Sequence, residues 1–270
     1  MDSPHGAAVT AEDFGLKGPR GWAFRGVGLD APPGALIAIE GPSGSGRTCL
    51  LLALTGRMRA SEGRAEVGGL RLPRQMAAVR RISALGPVPG VSELDPAFTV
   101  AEHLRERALL RPRAERTAAA RNRIDTALDA AGLDPANLPK AERTSVRDLE
   151  RLEALRLSVA LALIGRPRLL AVDDTDLKLS DAERAEAWEL LRSVAGSGTT
   201  VLAVCSQAPV GAITVRTATT ATSDTADITE ADAADVSEPA EAPEATTGKT
   251  TDETTTDEGT ADAFAETGRA

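Results

Sequence analysis

Apolar residues in this chain come in short blocks set off by glycine and proline. Residues 34–40 (GALIAIE) form such a block between Pro32-Pro33 and Gly41-Pro42, which predicts a buried strand ending in a turn. The run from Cys49, CLLLALTGRM, has helical composition, so strand, glycine loop and helix follow one another directly. Further strands are predicted over 64–72 and 79–85. A helix is predicted over 99–110, where Thr99 and Glu102 stand at capping-box spacing. A second covers 114–131, with Ile124 and Leu128 on one face and arginines on the other. A third runs from about residue 145 to Ile164 and ends at Gly165, before Pro167. The apolar strand 169–172, an amphipathic helix over 181–194, and strands over 199–205 and 211–216 complete the series.

This alternation predicts an α/β fold, a mostly parallel sheet covered on both faces, with the helices of 99–164 as an inserted subdomain. After Arg216 the composition changes to Thr, Ala, Asp and Glu, with Phe264 the lone aromatic. Such a segment cannot bury enough apolar surface to offset its ordering entropy, so 217–270 is expected to be a disordered acidic tail. Residues 1–14 are expected to be a flexible N-terminus.

Composition sharpens this picture. Aromatics are 2% of the chain, hydrophobic residues 42%, and there is no Tyr, so the core must be built from Ala, Leu, Val and Ile. The net charge of -9 is unevenly spread: residues 217–270 hold 14 of the 40 acids and two of the 31 bases, leaving 26 acids and 29 bases upstream. A near-neutral body therefore carries a strongly acidic tail. Cys49 and Cys205 sit in apolar runs without metal-ligand spacing, the pattern of reduced thiols rather than of a disulfide framework. No leader-like n-region and apolar stretch opens the chain, and no window nears the roughly 20 apolar residues of a membrane span, so a soluble protein is expected.

The candidate chemistry begins at Gly41, Pro42, Ser43, Gly44, Ser45, Gly46, Arg47 and Thr48 (GPSGSGRT). This matches the phosphate-binding pattern GxxxxGK[ST] except at Arg47, which stands at the lysine position. Glycines let such a loop wrap an anion with inward N–H groups, and the following helix aims its positive end at the same point. Thr48 would offer its hydroxyl to a Mg2+ ion on the phosphates. A chance Gly/Ser-rich turn is the competing reading. Arg47 can contact phosphate oxygens, but it is longer than lysine and not a compact charge, which favours binding over efficient hydrolysis.

The strand 169–172 leads into Asp173 and Asp174 (LLAVDD). In the functional reading Asp173 holds Mg2+ through water, and Asp174 stands where the general base is expected, one methylene short of glutamate. In the bland reading both aspartates cap the following segment.

At this point the sequence resembles the ATP-binding subunits of ABC transporters, through GVGLDAPPGALIAIEGPSGSGRTCLLLALTGRMRASEGRAEVGGLRL, TVAEHL at Thr99, LSVALALIGRPRLLAVDD from Leu157 and the strand at Val201. The resemblance covers residues 15–216. It implies a P-loop NTPase, with a RecA-like core and a helical subdomain, as nucleotide-binding domain. It also implies ATP and Mg2+ as cofactors, pairing with a second ABC ATPase as homodimer or heterodimer, and a membrane permease as partner. A cytoplasmic place on the inner face of the membrane follows from the same resemblance.

Besides Arg47 and Asp174, the chain departs from the family pattern at four further places. Where the signature LSGGQ falls, residues 149–153 read LERLE, and anionic side chains there would repel phosphate. Ser206 stands at the switch-histidine position, and Gly86 and Pro87 replace the glutamine expected after Leu85. Lys17 or Gly18 aligns with the aromatic that stacks on adenine; Trp22 and Phe24 are nearby substitutes, each more simply read as core or edge packing. Two functions follow: an ATP-binding transporter subunit with impaired hydrolysis, or a non-catalytic nucleotide-responsive scaffold for a membrane partner. Nucleic acid is not an expected partner, since no basic stripe with interleaved aromatics exists and the tail is acidic.

Overall fold

A computed structural model describes residues 5–109 and 118–217. The tail beyond Thr217, the first four residues and the start of the second predicted helix lie outside them.

Two sheets organise these residues. The first is antiparallel, in the order β2-β1-β4-β5, from β1 (Val9–Gly18), β2 (Gly21–Ala31), β4 (Glu62–Val67) and β5 (Leu70–Leu72). The second is parallel throughout, in the order β6-β7-β8-β3-β9, from β3 (Leu36–Glu40), β6 (Ser83–Leu85), β7 (Leu169–Val172), β8 (Thr200–Cys205) and β9 (Ile213–Arg216). The helices are α1 (Arg47–Leu54), α2 (Met76–Ile82), α3 (Val100–Leu109), α4 (Ala118–Ala130), α5 (Arg151–Leu163) and α6 (Asp181–Gly196).

Side chains of the parallel strands alternate between two cores, as a period of two requires. Ile37, Ile39, Leu169, Ala171, Leu202 and Val204 join α1 and the antiparallel sheet. Ala38, Leu170, Val172, Val201, Ala203 and Cys205 face α3 to α6. Because these strands are buried on both faces, they read as unbroken apolar runs, which is why 34–40, 169–172 and 199–205 were legible. Apart from Phe14, Phe24 and Trp188, the large core side chains are aliphatic, and Phe14 and Phe24 pack at 5.8 Å between ring centroids.

Several expectations are corrected. The flexible stretch over 1–14 gives way to β1 from Val9, with Ala7, Val9 and Phe14 fully buried. Strands β1 and β2 escaped the sequence pattern because the β1–β2 and β1–β4 pairings shift register at bulges, which breaks the alternation. The predicted strand 64–72 is a hairpin, folded at Gly68 and Gly69, both at positive φ. Residues 79–85 divide: α2 ends at Ile82 and only Ser83–Leu85 are extended. The third helix starts at Arg151 rather than near 145, because Glu153 takes the backbone N–H of Glu150 at 2.8 Å and Val146–Asp148 turn as a short 3-10 segment. Thr217, assigned to the tail, is 4% exposed and hydrogen-bonded into the fold. Among the described residues no helix is long and apolar enough to cross a membrane.

Candidate nucleotide site

The site lies at the C-terminal ends of β3, β8 and β7, which stand side by side in the parallel sheet. Such ends are where open α/β sheets bind ligands. The β3 end leads into residues 41–48. Gly44 and Gly46 adopt φ of 81° and 80°, a left-handed backbone that disfavours side chains. A Cβ at Gly44 would meet nothing within 4 Å, whereas one at Gly46 would lie 1.9 Å from the carbonyl oxygen of Ala23 in β2. The loop thus rests on the antiparallel sheet at Gly46 and is open at Gly44. Pro42, Ser43 and Gly44 are exposed and Ser45 is buried.

α1 starts at Arg47 with Gly46 as N-cap, no side-chain cap and no acidic residue in its first turn. Its positive end therefore receives no anion from the helix's own first turn, while Leu50, Leu51 and Leu54 hold the helix in the core, each worth about 1.5–3 kcal/mol of burial.

Asp173 directly follows β7, two strands away, and the fold brings it to the loop: the Thr48 hydroxyl donates to Oδ2 at 2.7 Å. Asp173 is 3% exposed; burial pushes its carboxyl up, the Thr48 bond pulls it down, and the neighbouring Asp174 charge pushes it up again. Asp174 sits at φ 47°, in the left-handed region, and donates its backbone N–H to Oδ1 of Asp173 at 2.9 Å. Asp174 shares with Asp173 the wall of an open cleft of about 380 Å³, between residues 87–96 and the first turns of α5. The fold thus joins the loop to Asp173 through Thr48, while Asp174 is tied to Asp173 and faces the neighbouring cleft.

Arg47 behaves differently from a compact charge. Its Nη1 donates to the carbonyl of Cys205 at the end of β8, at 2.6 Å. The Cys205 thiol is buried and pushed up to about 12, by desolvation first and then by the charges of Asp176 and Glu40, and Cys49 is half-buried. Neither cysteine is in a disulfide.

The positions that depart from the family pattern are built as local structure. Ser206 gives its backbone N–H, at 2.8 Å, and its hydroxyl to Asp176. At the signature position, Glu150 and Glu153 bring two carboxylates to the start of α5. Gly86 donates to Ala171 at 2.8 Å, and the carbonyl of Pro87 accepts from Asp173 at 2.9 Å, so the backbone there is tied to β7. Phe24 is core, at 1% exposure. Trp22, paired with Lys17 across the hairpin, carries the Arg25 guanidinium at 4.6 Å and the Lys17 ammonium at 5.6 Å from its ring centre. Lys17 and Gly18 lie on β1. The sequence reading missed Asp176 and Thr217. Three aspartates within four residues were a signal for the first, and a lone threonine opening a Thr-rich run was none for the second.

A glycine loop joining a parallel strand to a helix, faced by an aspartate two strands away, defines the P-loop nucleoside-triphosphatase class. The family model described as ABC transporter matches residues 24–176, more than half of the chain, and the chain belongs to that family. The chain is 33% identical to the daunorubicin resistance ATP-binding protein DrrA3 of Streptomyces coeruleorubidus over 67% of this chain and 54% of that protein. It is 33% identical to the Nod factor export ATP-binding protein I of Cupriavidus metallidurans over 64% of this chain and 54% of that protein. The chain thus spans about half the length of these curated relatives. Among solved structures, a dimeric ATP-binding cassette in a post-hydrolysis state with ADP and Pi superposes with a TM-score of 0.60 at 21% identity, over 74% of this chain and 88% of that one. That likeness establishes the ABC cassette fold.

Proposed function

We propose that this chain is the ATP-binding subunit of an ABC-type membrane transporter, holding ATP and Mg2+ at residues 41–48 with Asp173, and that its own hydrolysis is weak. The observation that carries the reading is the 2.7 Å bond between Thr48 and Asp173, which unites the loop with a buried carboxylate. The cofactor fits the donor set. An uncapped helix start and an open glycine loop suit a triphosphate. Among the described residues no three His, Cys, Asp or Glu side chains converge, so a cation here would need phosphate oxygens to complete its ligands.

Mg2+, when bound with ATP, would supply neutralisation of the phosphate charge. Thr48 and Asp173 would orient it, Arg47 would contact phosphate oxygens, and Asp174 would accept a proton from water. Weak hydrolysis follows from three departures: Asp174 is short for that role, Ser206 cannot act as a histidine, and Glu150 and Glu153 oppose a γ phosphate from a partner copy. A partner ATPase with intact motifs and a membrane permease complete the proposed assembly, at the cytoplasmic face. The relatives named for drug resistance and Nod factor export support it by similarity.

The Asp176 hold on Ser206 favours a second reading, a nucleotide-responsive scaffold without turnover. Titration of the full chain with ATP, with and without Mg2+, separates these outcomes. Mg2+-dependent affinity at millimolar nucleotide or below supports the site, and its absence defeats it. Binding that stays without turnover after a partner ATPase and permease are added favours the scaffold.

A further inference from the structure

Ser45, at the base of the phosphate loop, is 1% exposed, and its hydroxyl is 2.6 Å from that of Thr217, itself 4% exposed. Thr217 follows β9 directly and donates its backbone N–H to Glu40 at 2.9 Å, at the last residue of β3. A Cβ at Gly41 would lie 2.5 Å from the Thr217 hydroxyl oxygen and 2.6 Å from its carbonyl oxygen. Thr217 therefore touches the first and fifth residues of the loop and the strand that delivers it. The loop, open at Gly44 and resting on β2 at Gly46, is thus also braced from below by Thr217.

We infer that Thr217 is a positioning residue for the phosphate loop, acting through the Ser45 hydroxyl. The inference rests on the ATP-binding reading for its functional consequence but not for its geometry. Without the Thr217 hydroxyl, the Ser45 oxygen is either buried unpaired or the loop shifts to let it reach water. Removing both hydroxyls leaves no orphan, so the second substitution repairs the first.

The test uses the full chain in two assays. Thr217→Val is expected to weaken Mg2+-ATP binding about fivefold, the size of one lost buried hydrogen bond. Thr217→Ser should match wild type in affinity, and adding Ser45→Ala to Thr217→Val should bring the alkylation rate of the second assay back toward wild type. The second assay needs no nucleotide: burial pushes both thiols up, but Cys49, in the first turn of α1, is only half-buried whereas Cys205 is fully buried, so maleimide alkylation reports Cys49. Thr217→Val should speed alkylation and Thr217→Ser should not. An unchanged Cys49 rate in Thr217→Val, a double variant no better than the single one, or a Thr217→Ser that behaves like Thr217→Val overturns the inference. A wild type that binds no ATP while Thr217→Val still speeds alkylation sinks the ATP-binding reading alone. If Thr217→Val does not fold, Thr217→Ser against the double variant carries the same comparison, and a slow, wild-type rate in both is expected.

Discussion

Arg47 of the phosphate loop and the carbonyl of Cys205 are joined at 2.6 Å, so the residue at the lysine position is spent partly on the neighbouring strand. The guanidinium spans the gap between the β3 and β8 ends, a reach a lysine ammonium lacks the fork to match. Arg47→Lys is expected to tighten Mg2+-ATP binding about threefold to tenfold, since a compact charge tucks along the loop. Equilibrium titration checks this, and equal affinities would mean that the side chain does not act on the phosphates.

The two left-handed glycines of the loop should respond differently to alanine. Gly44→Ala meets open space and costs only the backbone penalty, about 1–2 kcal/mol. Gly46→Ala adds a 1.9 Å collision with a backbone carbonyl of β2, which cannot yield as a flexible side chain would. Denaturant unfolding of both variants should show a midpoint loss at least twice as large for Gly46→Ala.

Burial holds the Asp173 carboxyl above its ordinary 3.8, against the pull of the Thr48 hydrogen bond. As pH rises past about 4, unfolded chains release this proton before folded ones do, so native stability from this group falls until the folded-state value is passed. Asp173→Asn should therefore melt higher than wild type at pH 7 without nucleotide, and the gap should close below about pH 4. With Mg2+ and ATP present the order should reverse, because the cation site is lost. A thermal-shift series over pH reads both, and a wild type that is the more stable at neutral pH without ligand contradicts the argument.

Glu153 closes the start of α5 by accepting the Glu150 N–H, the site where a family member would present a glycine turn. Glu153→Ala should lower stability by about 0.5–2 kcal/mol, as loss of a cap does, and leave ATP affinity of the isolated chain unchanged. Calorimetry with a parallel titration tests it. A change in affinity would place this carboxylate at the chain's own nucleotide rather than at a partner's.

Residues 34–48 show why the loop and its flanks were legible: apolar block, glycine turn and leucine-rich helix are contiguous, and each is specified by neighbours within a few positions. Asp173 was legible for the same reason, as the residue directly after a strand buried on both faces. By contrast β1, with a positive φ at Asp13 and register shifts at its bulges, shows no clean alternation, and the polar side chains of β4 hide its pairing.

From the chain alone came the P-loop, its arginine, the paired aspartates and the family, because each is a local pattern of residue types. Tertiary structure alone decided that Arg47 reaches Cys205, that Asp176 holds Ser206, and that Thr217 braces Ser45 across 172 positions of sequence. Those are hydrogen bonds between segments brought together by sheet order, and no local periodicity encodes which strand ends become neighbours.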